Sequence, residues 1–85
     1  MAENGEGVNA REAVSKAKDY LKEMLGIYPN DAKLEEIELS DDGIWIITLS
    51  YKEGVAFSGI DVIKYKIIEI EADTGEVISM KIRKV

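Results

Sequence analysis

The sequence predicts an α+β domain, an N-terminal helix packed on a four-stranded antiparallel β-sheet. Three observations carry this. Apolar residues recur at helical spacing between residues 10 and 25, then switch to β-branched and aromatic runs from residue 33 onward, and glycine-bearing turn signals separate those runs. A single helix followed by strands has to lie on one face of the sheet they form, which is the two-layer solution.

The helix is marked at both ends. Ala10, Ala13, Val14, Ala17, Leu21, Met24 and Leu25 form one apolar stripe, with Arg11, Glu12, Lys16, Asp19, Lys22 and Glu23 off it. Asn9 is placed to cap, Glu12 stands three residues later as in a capping box, and Val8 with Ala13 forms the hydrophobic staple. Gly26 suits the left-handed position past the last turn, and Pro29 lies beyond it. The expected helix is 10–25.

Residues 33–39 (KLEEIEL) form the first strand, ended by the turn Ser40-Asp41-Asp42-Gly43. IWIITLSY (44–51) is β-branched and aromatic. KEGVAFSGID (52–61) reads as a longer connection, VIKYKIIEIEA (62–72) as the longest strand, and EVISMKIRKV (76–85) as the last. Trp45, Ile47, Leu49 and Tyr51 alternate onto one face and are expected to meet the helix with Ile78, Met80 and Ile82; Tyr20 and Met24 are assigned to the same core. Residues 1–7 are expected to be a disordered tail and residues 8–85 a single domain.

Composition narrows the chemistry. The 85 residues include no cysteine and no histidine, which removes thiolate nucleophiles, the commonest general base and the commonest transition-metal ligand. Ser15, Ser40, Ser50, Ser58 and Ser79 have no imidazole to activate them, and no glycine-rich phosphate loop is present. The net charge of −6 opposes binding to phosphate backbones. The excess of acid lies in the first half, where residues 1–43 carry 11 acidic and 5 basic side chains against 6 of each in 44–85. No apolar run reaches the roughly 20 residues that span a bilayer. The N-terminus lacks a signal-peptide pattern, so the chain reads as cytoplasmic as written, or exported if a leader segment has been trimmed. No catalytic residue, cofactor or metal is expected.

Asp73-Thr74-Gly75 carries the triplet of the aspartic proteases. That chemistry needs two aspartates sharing a proton, and the chain holds one copy, flanked by Glu71 and Glu76. Two strand patterns bracket it, and Gly75 supplies a left-handed residue, so it is expected to be a hairpin tip. Glu35, Glu36, Glu38, Asp41 and Asp42 cluster in sequence but lack the spacing of a calcium loop; along a strand Glu36 and Glu38 share a face and Glu35 points away, and the group is expected to be a solvated acidic edge. Lys64, Lys66, Lys81, Arg83 and Lys84 are expected to pair across strands with Glu69 and Glu71.

The stretch YKIIEIEADTGEVISMKIR (65–83), and Thr74-Gly75-Glu76-Val77 within it, resembles the closing hairpin of PepSY domains. The alanine-bearing helix NAREAVSKAKDYLKEML (9–25) and an aromatic residue in the middle strand, here Trp45, extend the similarity over residues 9–83. The resemblance implies a small helix-on-sheet module, related in architecture to cystatins, with no catalytic residues and a regulatory role towards peptidases or envelope proteins. The family is largely exported and is found in propeptides of thermolysin-type peptidases, whereas this sequence shows neither a signal peptide nor a peptidase domain. The cystatin loop Gln-x-Val-x-Gly is absent; the nearest loop is Lys52-Glu53-Gly54-Val55, so inhibition of cysteine peptidases is not expected.

One feature points to recognition. Val55 and Phe57 are apolar residues set between Gly54 and Gly59, an arrangement suited to a partner contact on an adaptable loop. Ile44 and Ile46 face away from the helix and call for a cover, whether a partner protein, a second copy in a homodimer, or the 52–61 loop folded back with Phe57 over them. The expected function is thus a non-catalytic protein-binding or regulatory module with Val55, Phe57, Ile44 and Ile46 as candidate contacts. A self-associating structural domain and a small-molecule site between helix and sheet are the alternatives.

Overall fold

A computed structural model of the protein describes residues 7–55 and 59–83. Helix α1 spans Ala10–Leu25, a short 3-10 turn spans Pro29–Asp31, and strands β1 (Lys33–Leu39), β2 (Ile44–Val55), β3 (Ile60–Glu71) and β4 (Val77–Ile82) follow. The strands pair antiparallel in the order β1-β2-β3-β4, and α1 packs across one face, so the fold is the α+β arrangement expected.

The helix ends are set locally. Asn9 is extended, its Oδ1 accepts from the Glu12 amide at 2.8 Å, and Glu12 Oε1 accepts from the Asn9 amide at 2.9 Å, a complete capping box. The Gly26 amide donates to the Lys22 carbonyl at 2.8 Å and closes the last turn. Ala13, Ala17 and Leu21 are buried and Val14 packs beside them. The stripe stops there. Met24 and Leu25 are 52% and 43% exposed, because the helix runs beyond the part of the sheet it covers.

Under the helix lie Ile47, Leu49 and Tyr51 of β2 and Ile68 and Ile70 of β3, all buried, with Trp45 partly buried at one end. The register sets Ile47 opposite Ile68 and Trp45 opposite Ile70. Between β3 and β4 the pairing shifts, with Glu69 opposite Ser79 but Ile70 opposite Val77. Ile78 is the extra residue of this bulge, so Val77 takes the core place expected for Ile78, which is 49% exposed. Met80 joins the core as expected, but Ile82 is 70% exposed past the helix.

Residues 52–55 and 60–61, expected to belong to a connection, are paired strand. Lys52, Glu53, Gly54 and Val55 pair with Ile63, Val62, Asp61 and Ile60, so β2 and β3 continue as a two-stranded arm past both neighbours. β1 reaches only to Ser50 of β2, and β4 only to Lys66 of β3. The arm draws the molecule out to 51 × 22 × 17 Å. Val62 and Ile63 give β-branched pairing partners, and Lys64 Nζ lies 3.8 Å from Glu53 Oε1 across the strands. Phe57 lies outside the described residues.

At the opposite end the N-terminal segment is stitched to the sheet. The Val8 amide donates to the Ala72 carbonyl at 2.8 Å, and Trp45 Nε1 donates to the Val8 carbonyl at 3.1 Å. Gly7 has φ 89, and a Cβ there would collide with the Ala72 carbonyl. Gly7 is thus placed against the Ala72 carbonyl; residues 1–6 lie outside the described residues.

Two substitutions test these ends. Asn9→Ala should lower stability by about 1 kcal/mol through the lost cap, and a neutral denaturant midpoint would place the helix start elsewhere. Gly75, at φ 78 with Val8 Cγ1 and Lys16 Cε against its open side, should lose about 1–2 kcal/mol as Gly75→Val. An unchanged melting temperature would mean that the turn tolerates a side chain there.

Candidate functional site

Three of the four candidate contact residues are described, and they fall at two ends of the sheet; Phe57 lies outside the described residues. Ile44 and Ile46 sit half-buried on the face away from the helix, opposite Glu71 and between Glu38 and Glu69 respectively. Val55 ends β2 at the tip of the arm, nine residues beyond Ile46, or about 30 Å along an extended strand. The structure does not bring these residues into one site.

The face away from the helix is largely closed by its own side chains. Thr48 and Ser50 are only 3% and 5% exposed there. Ser50 Oγ donates to Glu35 Oε2 at 2.7 Å; a bulge between Leu34 and Glu36 lets Glu35 reach it, so Glu35 does not point away from this network as strict alternation implied. Arg83 leaves the end of β4, stacks over the Tyr65 ring at 5.6 Å and reaches Glu36 Oε1 on β1 at 3.6 Å. A guanidinium and its stem thus lie across the middle of this face.

What stands open is the arm. The Arg83 amide donates to the Tyr65 carbonyl, so alternation turns the backbone groups of Asp61 and Ile63 to the same outer side, beyond the end of β4. On the other edge, Lys52 and Gly54 turn their groups outward beyond the start of β1. Val62 and Ile63 are 38% and 47% exposed. At the root of the arm a groove opens between the 26–31 connection and the strands, lined by Ile27, Asn30, Lys33, Tyr51, Ile63 and Tyr65. Tyr51 forms its floor. Burial, and then the neighbouring Glu53 carboxylate, push its hydroxyl above the usual tyrosine pKa.

The arm was hidden from sequence reasoning by Gly54 and Gly59, which read as loop punctuation. The signal that reveals it is the opposite-charge pair Glu53 and Lys64, diagonal neighbours across the strands on either side of the Gly54 to Gly59 stretch.

The remaining clusters are structural. Asp73 is exposed in the turn that joins β3 to β4, as expected of a hairpin tip. Thr74 Oγ1 donates to Glu71 Oε1 and accepts from the Glu76 amide, both at 3.1 Å, and the Gly75 amide closes the turn on the Glu71 carbonyl at 2.8 Å. Among the described residues no three carboxylates converge on a point that could hold a metal ion. The expected pairing of the basic residues is corrected. Lys64 and Arg83 go to Glu53 and Glu36, while Glu69 accepts from Ser79 Oγ at 2.9 Å and Glu71 from Thr74. Lys84 lies outside the described residues.

The raised Tyr51 pKa has a signed consequence. The folded state holds that proton more tightly than the unfolded state, so its contribution is intact below pH 10.0 and is lost as pH rises through the higher folded value. Tyr51→Phe should therefore flatten the fall in stability above that pH, measured as urea midpoints along an alkaline series. An identical slope in both proteins would show that Tyr51 ionises freely in the fold.

The chain matches no protein-family model, no curated protein and no solved structure.

Proposed function

We propose that this chain is a non-catalytic protein-binding module that receives an extended segment of its partner along the β2–β3 arm. The observation that carries this is the arm itself, a two-stranded ribbon with outward-turned backbone groups on both edges and exposed Val62 and Ile63. Such an edge recognises another chain by strand addition, in which main-chain hydrogen bonds supply affinity and alternate side chains supply selectivity. The groove over Tyr51 at the root of the β2 edge gives a partner side chain a place to enter. Val55 and Phe57 belong to this arm in sequence and are its candidate apical contacts; Ile44 and Ile46 lie too far away to take part.

A non-catalytic role follows from the side chains present. The sequence has neither histidine nor cysteine, and Ser40, Ser50, Thr74 and Ser79 are engaged by carboxylates or backbone, so among these described hydroxyls none is paired with a base that could activate it. The resemblance to PepSY domains makes a peptidase the first partner class to try.

Val62→Lys/Ile63→Lys changes two exposed arm positions and should leave the melting temperature nearly unaltered, since surface changes usually stay within about 0.5 kcal/mol each. A photo-crosslinking residue placed at the exposed arm position 61 should capture a protein from the source lysate, and the double variant should weaken that complex by at least about tenfold. The same pair of proteins titrated against a thermolysin-type peptidase tests the partner class. Crosslinks that survive the double substitution unchanged would remove the arm from recognition, and an unaltered peptidase rate would remove that partner.

A further inference from the structure

We propose that copies of this chain join edge to edge, the outer edge of β1 in one molecule pairing with the outer edge of β4 in the next, so that the sheet continues from molecule to molecule. This surface is separate from the arm and goes beyond the binding role proposed above.

The topology permits it. Each strand runs antiparallel to its neighbour in the order β1-β2-β3-β4, so β4 and β1 run in opposite directions. A second copy set beside the first with the same face up meets it as another antiparallel pair. Among the described residues neither outer edge carries a further strand.

The backbone groups fall in register. The Ser40 amide donates to the Ile44 carbonyl, so Ser40, Glu38 and Glu36 turn inward to β2, and Ile37 and Leu39 turn outward. The Arg83 amide donates to the Tyr65 carbonyl, so Arg83 and Lys81 turn inward to β3, and Met80 and Ile82 turn outward. Setting Ile37 opposite the next copy's Ile82 and Leu39 opposite its Met80 makes both hydrogen-bonded pairs.

That same register is charge-complementary. It sets Glu38 opposite the next copy's Lys81 and Glu36 opposite its Arg83. All four side chains belong to the face away from the helix, as the row Glu36–Thr48–Ile67–Lys81 shows. The pattern extends beyond these pairs, since residues 33–42 carry five acidic side chains and one basic, whereas residues 77–85 carry three basic and none acidic. On the helix face, Leu39 and Ile82, 52% and 70% exposed in the single molecule, become neighbours of Met80 and Ile37 across the junction. Opposite charges facing each other across an antiparallel pair stabilise it and fix its register, and like charges there oppose it. The junction is heterologous, so each added copy leaves one edge of each kind open and growth is linear.

The test is sedimentation velocity of the full chain over a concentration series. The sedimentation coefficient should rise with concentration at about 0.01 M ionic strength and much less at about 1 M, where charges are screened within about 3 Å. Glu38→Lys alone and Lys81→Glu alone, both at exposed positions, should stay monomeric. Their equimolar mixture should assemble, because alternating copies restore an opposite-charge pair at every junction. Val62→Lys/Ile63→Lys should assemble like the unaltered chain, which separates this surface from the arm. Hydrogen exchange on the unaltered protein gives a readout independent of variants: the amides of Ile37, Leu39, Met80 and Ile82 should gain protection as concentration rises. A chain that stays monomeric at low salt, single charge reversals that still assemble, a mixture that does not, or protection confined to the arm would each overturn the proposal.

Discussion

The main chain of Val8 joins the two layers of this molecule. Its amide is held by the Ala72 carbonyl and its own carbonyl by the Trp45 indole, so one residue before the helix cap is tied both to a hairpin turn and to the central strand. Several features depend on that tie. Gly7 must be glycine-like because the chain passes against Ala72; Gly75 must stay small because Val8 and Lys16 close over it; and the Ala72 amide, donating to the Gly43 carbonyl, links the two turns at this end. The capping box at Asn9 then starts the helix from a fixed point. The molecule is consequently anchored at one end and looser at the other, where Met24, Leu25 and Tyr28 are exposed and the arm leaves the core. Elements with few buried contacts sit at the low end of local stability.

This polarity explains what could be read from sequence. The helix over residues 10–25 was legible to the residue because both ends are set by short-range hydrogen bonds among Asn9, Glu12, Lys22 and Gly26. The inward positions of β2 were legible because alternation is local. Burial was not, because it depends on where the helix stops covering the sheet, and no periodicity says that Met24 or Ile82 lies past that limit. The bulge that exchanges Ile78 for Val77 has no signature in EVISMKIRKV, since either residue fits a core. Of the candidate site, Val55 was found for its composition and placed in the wrong kind of element. Ile44 and Ile46 were found as outward-facing, but the Arg83 stem and the Ser50–Glu35 bond that fill their face come from distant strands.

The charges show a similar division between local and distant effects. A net −6 describes the chain poorly, because the acid gathers on the β1 edge and the base on the β4 edge. Within one molecule the only bridge between these edges is Arg83 reaching over Tyr65 to Glu36, among the described ion pairs. Solvent-exposed pairs of this kind are worth under about 1 kcal/mol. Exchanging Arg83 from its own Glu36 to that of a neighbour therefore changes little by itself, and the hydrogen bonds of a joined edge decide the balance. Charged edge residues commonly prevent pairing. Here their signs are segregated between the two edges, which leaves β1–β1 and β4–β4 contacts repelled while β1–β4 contacts are matched.

The arm has the complementary problem. A two-stranded ribbon is marginal in water unless a third strand or a packed face supports it. Tyr51 at its root is buried and joins the core, so the first pair of the arm is supported; from Lys52 outward the described strands hold each other by cross-strand pairing and contacts such as Glu53–Lys64. A partner segment added along either edge would supply the missing strand and cover Val62 and Ile63 at the same time. Such binding stabilises the element that performs it, because ligand and ordered arm form together. The feature that makes the arm weak alone, two open edges on a narrow ribbon, is therefore the same feature that gives an extended partner its hydrogen bonds.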